Sequence, residues 1–134
     1  MAALFLSISI QFGLPHGLLE SICWVESKHN PNTIHKDDGD TDSIGLCQVK
    51  LMTARSLGYR GTEKGLLDPK TNMYYAAKYL QYQIIRYKGN TKKAIIAYNK
   101  GNAKGLTHTP YFDTVSKYWG TLNERTAVKI DSTD

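Results

Sequence analysis

Glu26 is the residue in this chain best placed to do chemistry. Pro15 to Ser27 reads as a helix, and a step of about 100° per residue puts Glu26 on the same face as Leu19, Ile22 and Cys23. That face is apolar. A carboxylate there loses hydration, and the carbonyl end of a helix adds partial negative charge, so both effects favour the protonated form and raise the pKa. A carboxyl kept neutral near pH 7 can hand its proton to a poor leaving group such as a glycosidic oxygen. The alternative is a helix-terminal side chain that swings out to solvent, and position by itself does not choose between the two.

The other acidic feature is the loop Asp37, Asp38, Gly39, Asp40, Thr41, Asp42. Asp38, Asp40 and Asp42 have the one-three-five spacing of a calcium loop, but Ser43 and Val49 stand where its Gly and Glu belong, which argues against calcium. Asp38 or Asp40 is instead a candidate second carboxylate, of the kind that activates water in an inverting hydrolase about 6.5–9.5 Å from the acid. The plain reading is a solvated turn. His16, His29, His35 and His108 have no metal-ligand spacing and read as surface residues, and no glycine loop for phosphate is present, so neither metal nor cofactor is expected.

The elements that would position Glu26 are mostly helical. Leu4 to Phe12 reads as an N-terminal helix on the core, and His29 to Pro31 ends the helix that carries Glu26. Ser43 to Val49, with Ile44 and Leu46 flanking Gly45, suits a short extended segment with one close backbone approach. Leu51 to Leu57 reads as a short helix. Asp68 and Pro69 start a long one that runs to about Tyr87 with a buried stripe at Met73, Ala77, Leu80, Ile84 and Tyr87. Its other stripe, Tyr75, Tyr79 and Tyr82, reads first as tyrosines bridging core and solvent and second as a sugar platform. Thr91 is expected to cap the next helix, which closes near Gly101, and Thr109 with Pro110 to begin the last, with Phe112, Val115 and Trp119 inward. The organisation expected is one domain over residues 1–120 and a polar C-terminal tail over 121–134, frayed from Asn123.

From Leu14 to about Trp119 the chain resembles the catalytic domain of the soluble (SLT) type of lytic transglycosylases, which are related to goose-type lysozymes. Glu26 and Ser27 match the family's Glu-Ser pair; Gly45, Leu46, Cys47, Gln48 and Val49 match its Gly-Leu-Met-Gln stretch; Ala97, Tyr98 and Asn99 match its Ala-Tyr-Asn motif. Thr53, Ala54, Leu57 and Gly58, then Leu67, Asp68, Pro69, Asn72, Tyr79 and Leu80, follow its connecting pattern. Each motif is short, and their order over most of the chain carries the match.

The resemblance implies a mainly α, lysozyme-like α+β fold: a single helical domain with a small extended or hairpin segment beside a saccharide groove. It implies Glu26 as the catalytic acid and base, with Ser27, Gln48, Tyr98 and Asn99 on the substrate side. Gln48 would offer its amide near Glu26 or to the sugar, Tyr98 a hydroxyl close to the carboxyl, and Asn99 a contact to an N-acetyl group. The activity implied is cleavage of the β-1,4 bond between N-acetylmuramic acid and N-acetylglucosamine in peptidoglycan, with 1,6-anhydromuramoyl ends. A goose-type-like muramidase is the hydrolytic alternative, and Lys50, standing where those lysozymes place an acid, argues against it. A noncatalytic wall-binding or virion-assembly domain is the third reading.

The chain departs from the family at Cys47, where a Met is usual, and altered packing there is expected. The resemblance sets Cys47 beside the helix of Cys23, which admits a disulfide, whereas the residues themselves read as two buried free thiols.

With 134 residues the chain can bury a core without metals or a disulfide framework. A net charge of +5 favours an anionic partner, for which bacterial cell wall qualifies. Lys and Arg are dispersed and no nucleic-acid-binding signature occurs, so nucleic acid is not expected as a partner. A monomer is expected. Met1 to Ile10 is apolar but lacks a basic start and a cleavage site, and is too short to span a bilayer. Action at the wall, in the periplasm or outside the cell, would then need another route of delivery. A phage endolysin, a virion component or a piece of a larger protein would fit.

Overall fold

The computed structural model describes residues 1–36 and 41–131, the last six of these as helical backbone. Six α-helices and one small sheet occur among them: α1 (Ala2–Gln11), α2 (Leu18–Ser27), β1 (Ile34–His35), β2 (Ser43–Ile44), β3 (Val49–Lys50), α3 (Leu51–Ser56), α4 (Pro69–Arg86), α5 (Thr91–Lys100) and α6 (Pro110–Asp131). A 3-10 turn, Lys64–Leu67, precedes α4. The sheet is antiparallel in the order β1-β2-β3, with Ile34 opposite Ile44 and Ile44 opposite Val49. The mainly helical architecture with a short hairpin matches the expected class.

The central element is α4, which packs on α1, α2, α3 and α5. Its start is local chemistry. Asp68 accepts from the Thr71 backbone N–H and hydroxyl, both at 2.9 Å, and Pro69 occupies the first turn. Gly89, at φ +83°, ends it by donating to the Ile84 carbonyl. Met73, Ala76, Ala77 and Leu80 are fully buried between α4 and its neighbours, and Ile84 and Tyr87 lie partly buried at the end of that stripe.

Three local details differ from the sequence reading. Helix α2 begins at Leu18 rather than Pro15, because Gly17 takes φ +80° and turns the chain first. Asn90, not Thr91, caps α5, its Oδ1 accepting from the Lys93 N–H at 3.0 Å. Residues 121–131, expected as tail, continue α6. The helix leans on the turn before α2, where the Trp119 indole donates to the His16 carbonyl at 2.7 Å and Leu122 lies against Gly17.

Cys23 and Cys47 form a disulfide, not the two free thiols read from the residues. Both are fully buried, and the packing of α2 on the segment between β2 and β3 brings their Cα atoms to 4.2 Å. Among the described residues no helix is long and apolar enough to cross a membrane.

Candidate active site

Glu26 lies in the last turn of α2, and its carboxyl opens into a cleft of about 210 Å³. Loss of hydration raises its pKa from 4.5 to about 7, opposed by one hydrogen bond. That bond comes from Tyr111, in the first turn of α6, whose hydroxyl donates to Glu26 Oε2 at 2.9 Å.

Gln48, Tyr98 and Asn99 line the same cleft, together with Ser43 and Tyr79. A second depression, bounded by His35 and Lys36, shares Glu26, Ser43 and Gln48 with the first. The carboxyl therefore stands where the two depressions meet, as two arms of one groove.

The floor of this groove is the segment from Ile44 to Gln48, fixed from every side. Asn72, fully buried on α4, accepts from the Cys47 N–H at 2.8 Å and donates to the carbonyls of Ile44 and Leu66, both at 2.7 Å. Ser27 donates to the Leu46 carbonyl at 2.6 Å, and Tyr98 to the Cys47 carbonyl at 2.8 Å. Gln48, at φ +54°, turns its amide back onto the carbonyls of Gly45 at 2.9 Å and Thr33 at 3.1 Å. Gly45 is required here. At φ +77° it presses so closely on Asn72 that a Cβ would lie 2.7 Å from the amide nitrogen.

These bonds show what each of the expected site residues touches. Ser27 is buried as a brace between α2 and Leu46 and does not line the cleft. Tyr98 and Gln48 do line it, yet their donors are spent on backbone, so each shapes the wall while holding the floor. Asn99 is exposed and lies on the rim of the cleft. Burial, then the charge of Glu26, pushes the phenols of Tyr98 and Tyr111 well above their usual range, which keeps both as neutral O–H groups. Asp38 and Asp40 lie outside the described residues.

The tyrosine stripe of α4 divides. Tyr75 packs edge-on against Tyr59 and Tyr74, whereas Tyr79 lines the cleft with Tyr82 nearly parallel to it at 6.4 Å. The sequence reading missed Tyr111. Its signal is a tyrosine one position past the proline that starts α6, and no spacing relates it to Glu26. Among the described residues no three His, Cys, Asp or Glu side chains gather as metal ligands.

The family model described as Transglycosylase SLT domain matches residues 4–117. Peptidoglycan transglycosylase gp16 of Escherichia phage T7 is 32% identical over 108 residues, which cover 78% of this chain and 8% of that protein. The fold is similar to that of an inactive mutant of the lytic transglycosylase Slt from Pseudomonas aeruginosa, with TM-score 0.68 and 24% identity over 84% of this chain and 19% of that one. It is also similar to the 70 kDa soluble lytic transglycosylase of Escherichia coli, with TM-score 0.63 and 26% identity over 88% of this chain and 21% of that one. The chain thus spans about a fifth or less of the length of each of these relatives.

Proposed function

Because the chain belongs to the transglycosylase SLT domain family, we propose that it is a peptidoglycan lytic transglycosylase in which Glu26 is both acid and base. The observation that carries the reading is the Glu26 carboxyl itself, partly buried where the groove's arms meet and protonated up to about pH 7. The bond cut is the β-1,4 link between N-acetylmuramic acid and N-acetylglucosamine, at the bacterial cell wall.

Glu26 gives its proton to the glycosidic oxygen as the bond from that oxygen to the muramoyl C1 breaks, leaving a cationic sugar and a carboxylate. The carboxylate then takes the proton of the muramoyl C6 hydroxyl while that oxygen bonds to C1. A 1,6-anhydro ring closes, no water is consumed, and Glu26 is returned protonated. Tyr111 holds Oε2 throughout, and Asn99 on the rim would orient the N-acetyl group. One carboxyl suffices for both steps.

Mass spectrometry of muropeptides released from purified peptidoglycan tests the proposal. Anhydromuramoyl products, lighter by one water than hydrolytic ones and absent with Glu26→Gln, are expected. Reducing-end products would instead establish a muramidase.

A further inference from the structure

Helix α2 carries a second concave site on a face turned away from the catalytic carboxyl. Trp24 and Lys28 are four residues apart and share that face, about 200° around the helix from Glu26. With Lys117, Tyr118 and Thr121 of α6 they line a depression of about 260 Å³ that shares no lining residue with the groove. No acidic side chain lines it among the described residues.

Helix packing explains only part of this. The Trp24 indole lies nearly parallel to the Tyr118 ring at 5.3 Å and edge-on to His29 at 5.4 Å, contacts that seat α2 on α6. The polar tips of the two rings have no such use. Trp119 spends its indole N–H on the His16 carbonyl, whereas neither the Trp24 N–H nor the Tyr118 hydroxyl makes a hydrogen bond among the described residues, and both reach solvent. Lys28 holds Nζ 5.1 Å from the centre of the indole, a weak surface contact that a ligand can displace, and Lys117 is exposed. An apolar protein segment laid here would bury these donors without partners. A sugar would satisfy them, its C–H face lying on the rings while its hydroxyl and acetamido oxygens accept from the tips and the ammonium groups.

We propose that Trp24 and Tyr118 form a second glycan-binding site, outside the groove, that holds a neighbouring stretch of peptidoglycan while Glu26 acts on the strand in the groove. The inference rests on peptidoglycan being the substrate. Lys28 and Lys117 complement the negative charge of that polymer. The consequence is retention: a second contact to one insoluble polymer raises the local concentration of strand at the groove, and it does nothing for a soluble fragment too short to reach both sites.

The test uses the two tryptophans as reporters, since neither lines the groove. Peptide-free glycan oligomers of alternating N-acetylglucosamine and N-acetylmuramic acid are titrated into isotope-labelled Glu26→Gln protein, and both indole N–H resonances are followed, with Trp119→Phe giving the assignment. The Trp24 signal should move to saturation and the Trp119 signal should stay. Tyr118→Ala, which removes one ring, and Thr121→Met, which fills the depression from an exposed position, should each weaken that titration about three- to tenfold. With Glu26 restored, both variants should cut short soluble oligomers as wild type does and release fragments from insoluble peptidoglycan about three- to tenfold more slowly. A stationary Trp24 signal, a shift undiminished in both variants, or equal losses on soluble and insoluble substrate overturns the second site and leaves cleavage in the groove standing. A Trp24 signal that follows protein concentration instead of added glycan assigns the face to a second copy of the chain and also overturns it. Failure of wild type to cut either substrate overturns the peptidoglycan reading as well.

Discussion

Tyr111 and Glu26 stand 85 residues apart in the chain and meet in a hydrogen bond of 2.9 Å, the phenol donating to Oε2. The bond sets two opposing influences on one carboxyl. Burial holds the proton on, and the phenol, which binds a carboxylate more strongly than a carboxylic acid, pulls the pKa back toward about 7.

Tyr111→Phe keeps the ring and removes only that donor. Glu26 should then titrate higher, and the alkaline limb of kcat/KM should move up by about one pH unit or less. The rate at pH 6 should fall about tenfold, since the carboxyl loses the contact that orients it. A pH profile on a soluble glycan substrate reads both effects. A limb that stays in place or moves to lower pH would show that the phenol does not tune the acid.

Glu26→Gln should abolish cleavage and stabilise the fold at alkaline pH. The folded pKa lies above the unfolded value, so between about 4.5 and 7 the folded state holds the extra proton, and stability falls as pH rises through that window. Above it the native state carries a buried charge. The amide carries none, and the variant should exceed wild type by on the order of 2 kcal/mol at pH 8 and match it closely at pH 4. Urea melts at the two pH values measure the difference, and a variant less stable than wild type at pH 8 would contradict it.

What was legible in the sequence was local. Asp68 and Pro69 announce α4 because a cap and a first-turn proline act within one turn, and the apolar spacing of Leu19, Ile22 and Cys23 assigns Glu26 to a buried face. What was not legible depends on distant partners. Tyr111 reaches Glu26 only after α6 has packed on α2, and nothing in the sequence spacing of the two residues encodes that. The two-residue strands around Ile44 to Lys50 owe their position to Asn72 and Tyr98, on two different helices. Polar residues past Gly120 read as a tail because their helix has little apolar surface, yet Trp119 and Leu122 seat its middle against the turn at His16 and Gly17.

The floor of the groove depends on Asn72 more than on any residue facing the substrate. Asn72→Ala would leave the Cys47 N–H and the carbonyls of Ile44 and Leu66 buried without their partner, at a cost of about 2–4 kcal/mol. Gly45→Ala should cost at least as much, because it combines a positive φ with a Cβ driven into the same amide. Both should lower the denaturation midpoint and reduce kcat in the surviving folded fraction. Wild-type midpoints in both variants would mean the segment holds its shape without Asn72.

The disulfide and the hydrogen bonds around it should separate in their effects. Cys23 is three residues before Glu26 and Cys47 one before Gln48, so the pair ties the acid's helix to the groove floor. Closing a loop across a sequence separation of 24 removes unfolded-state entropy worth about 3 kcal/mol. The double substitution Cys23→Ala with Cys47→Ala should therefore lower Tm by about 10 °C. Well below that temperature the bonds from Ser27 to Leu46 and from Tyr98 to Cys47 still hold the floor, so kcat should fall by less than about threefold. Alkylation and mass analysis of the unfolded wild type should find no free thiol until reductant is added. Two reactive thiols without reductant, or a double variant melting with wild type, would remove the disulfide from the account. A catalytic loss far beyond threefold at low temperature would mean that the covalent tie, rather than the hydrogen bonds, sets the geometry between Glu26 and Gln48.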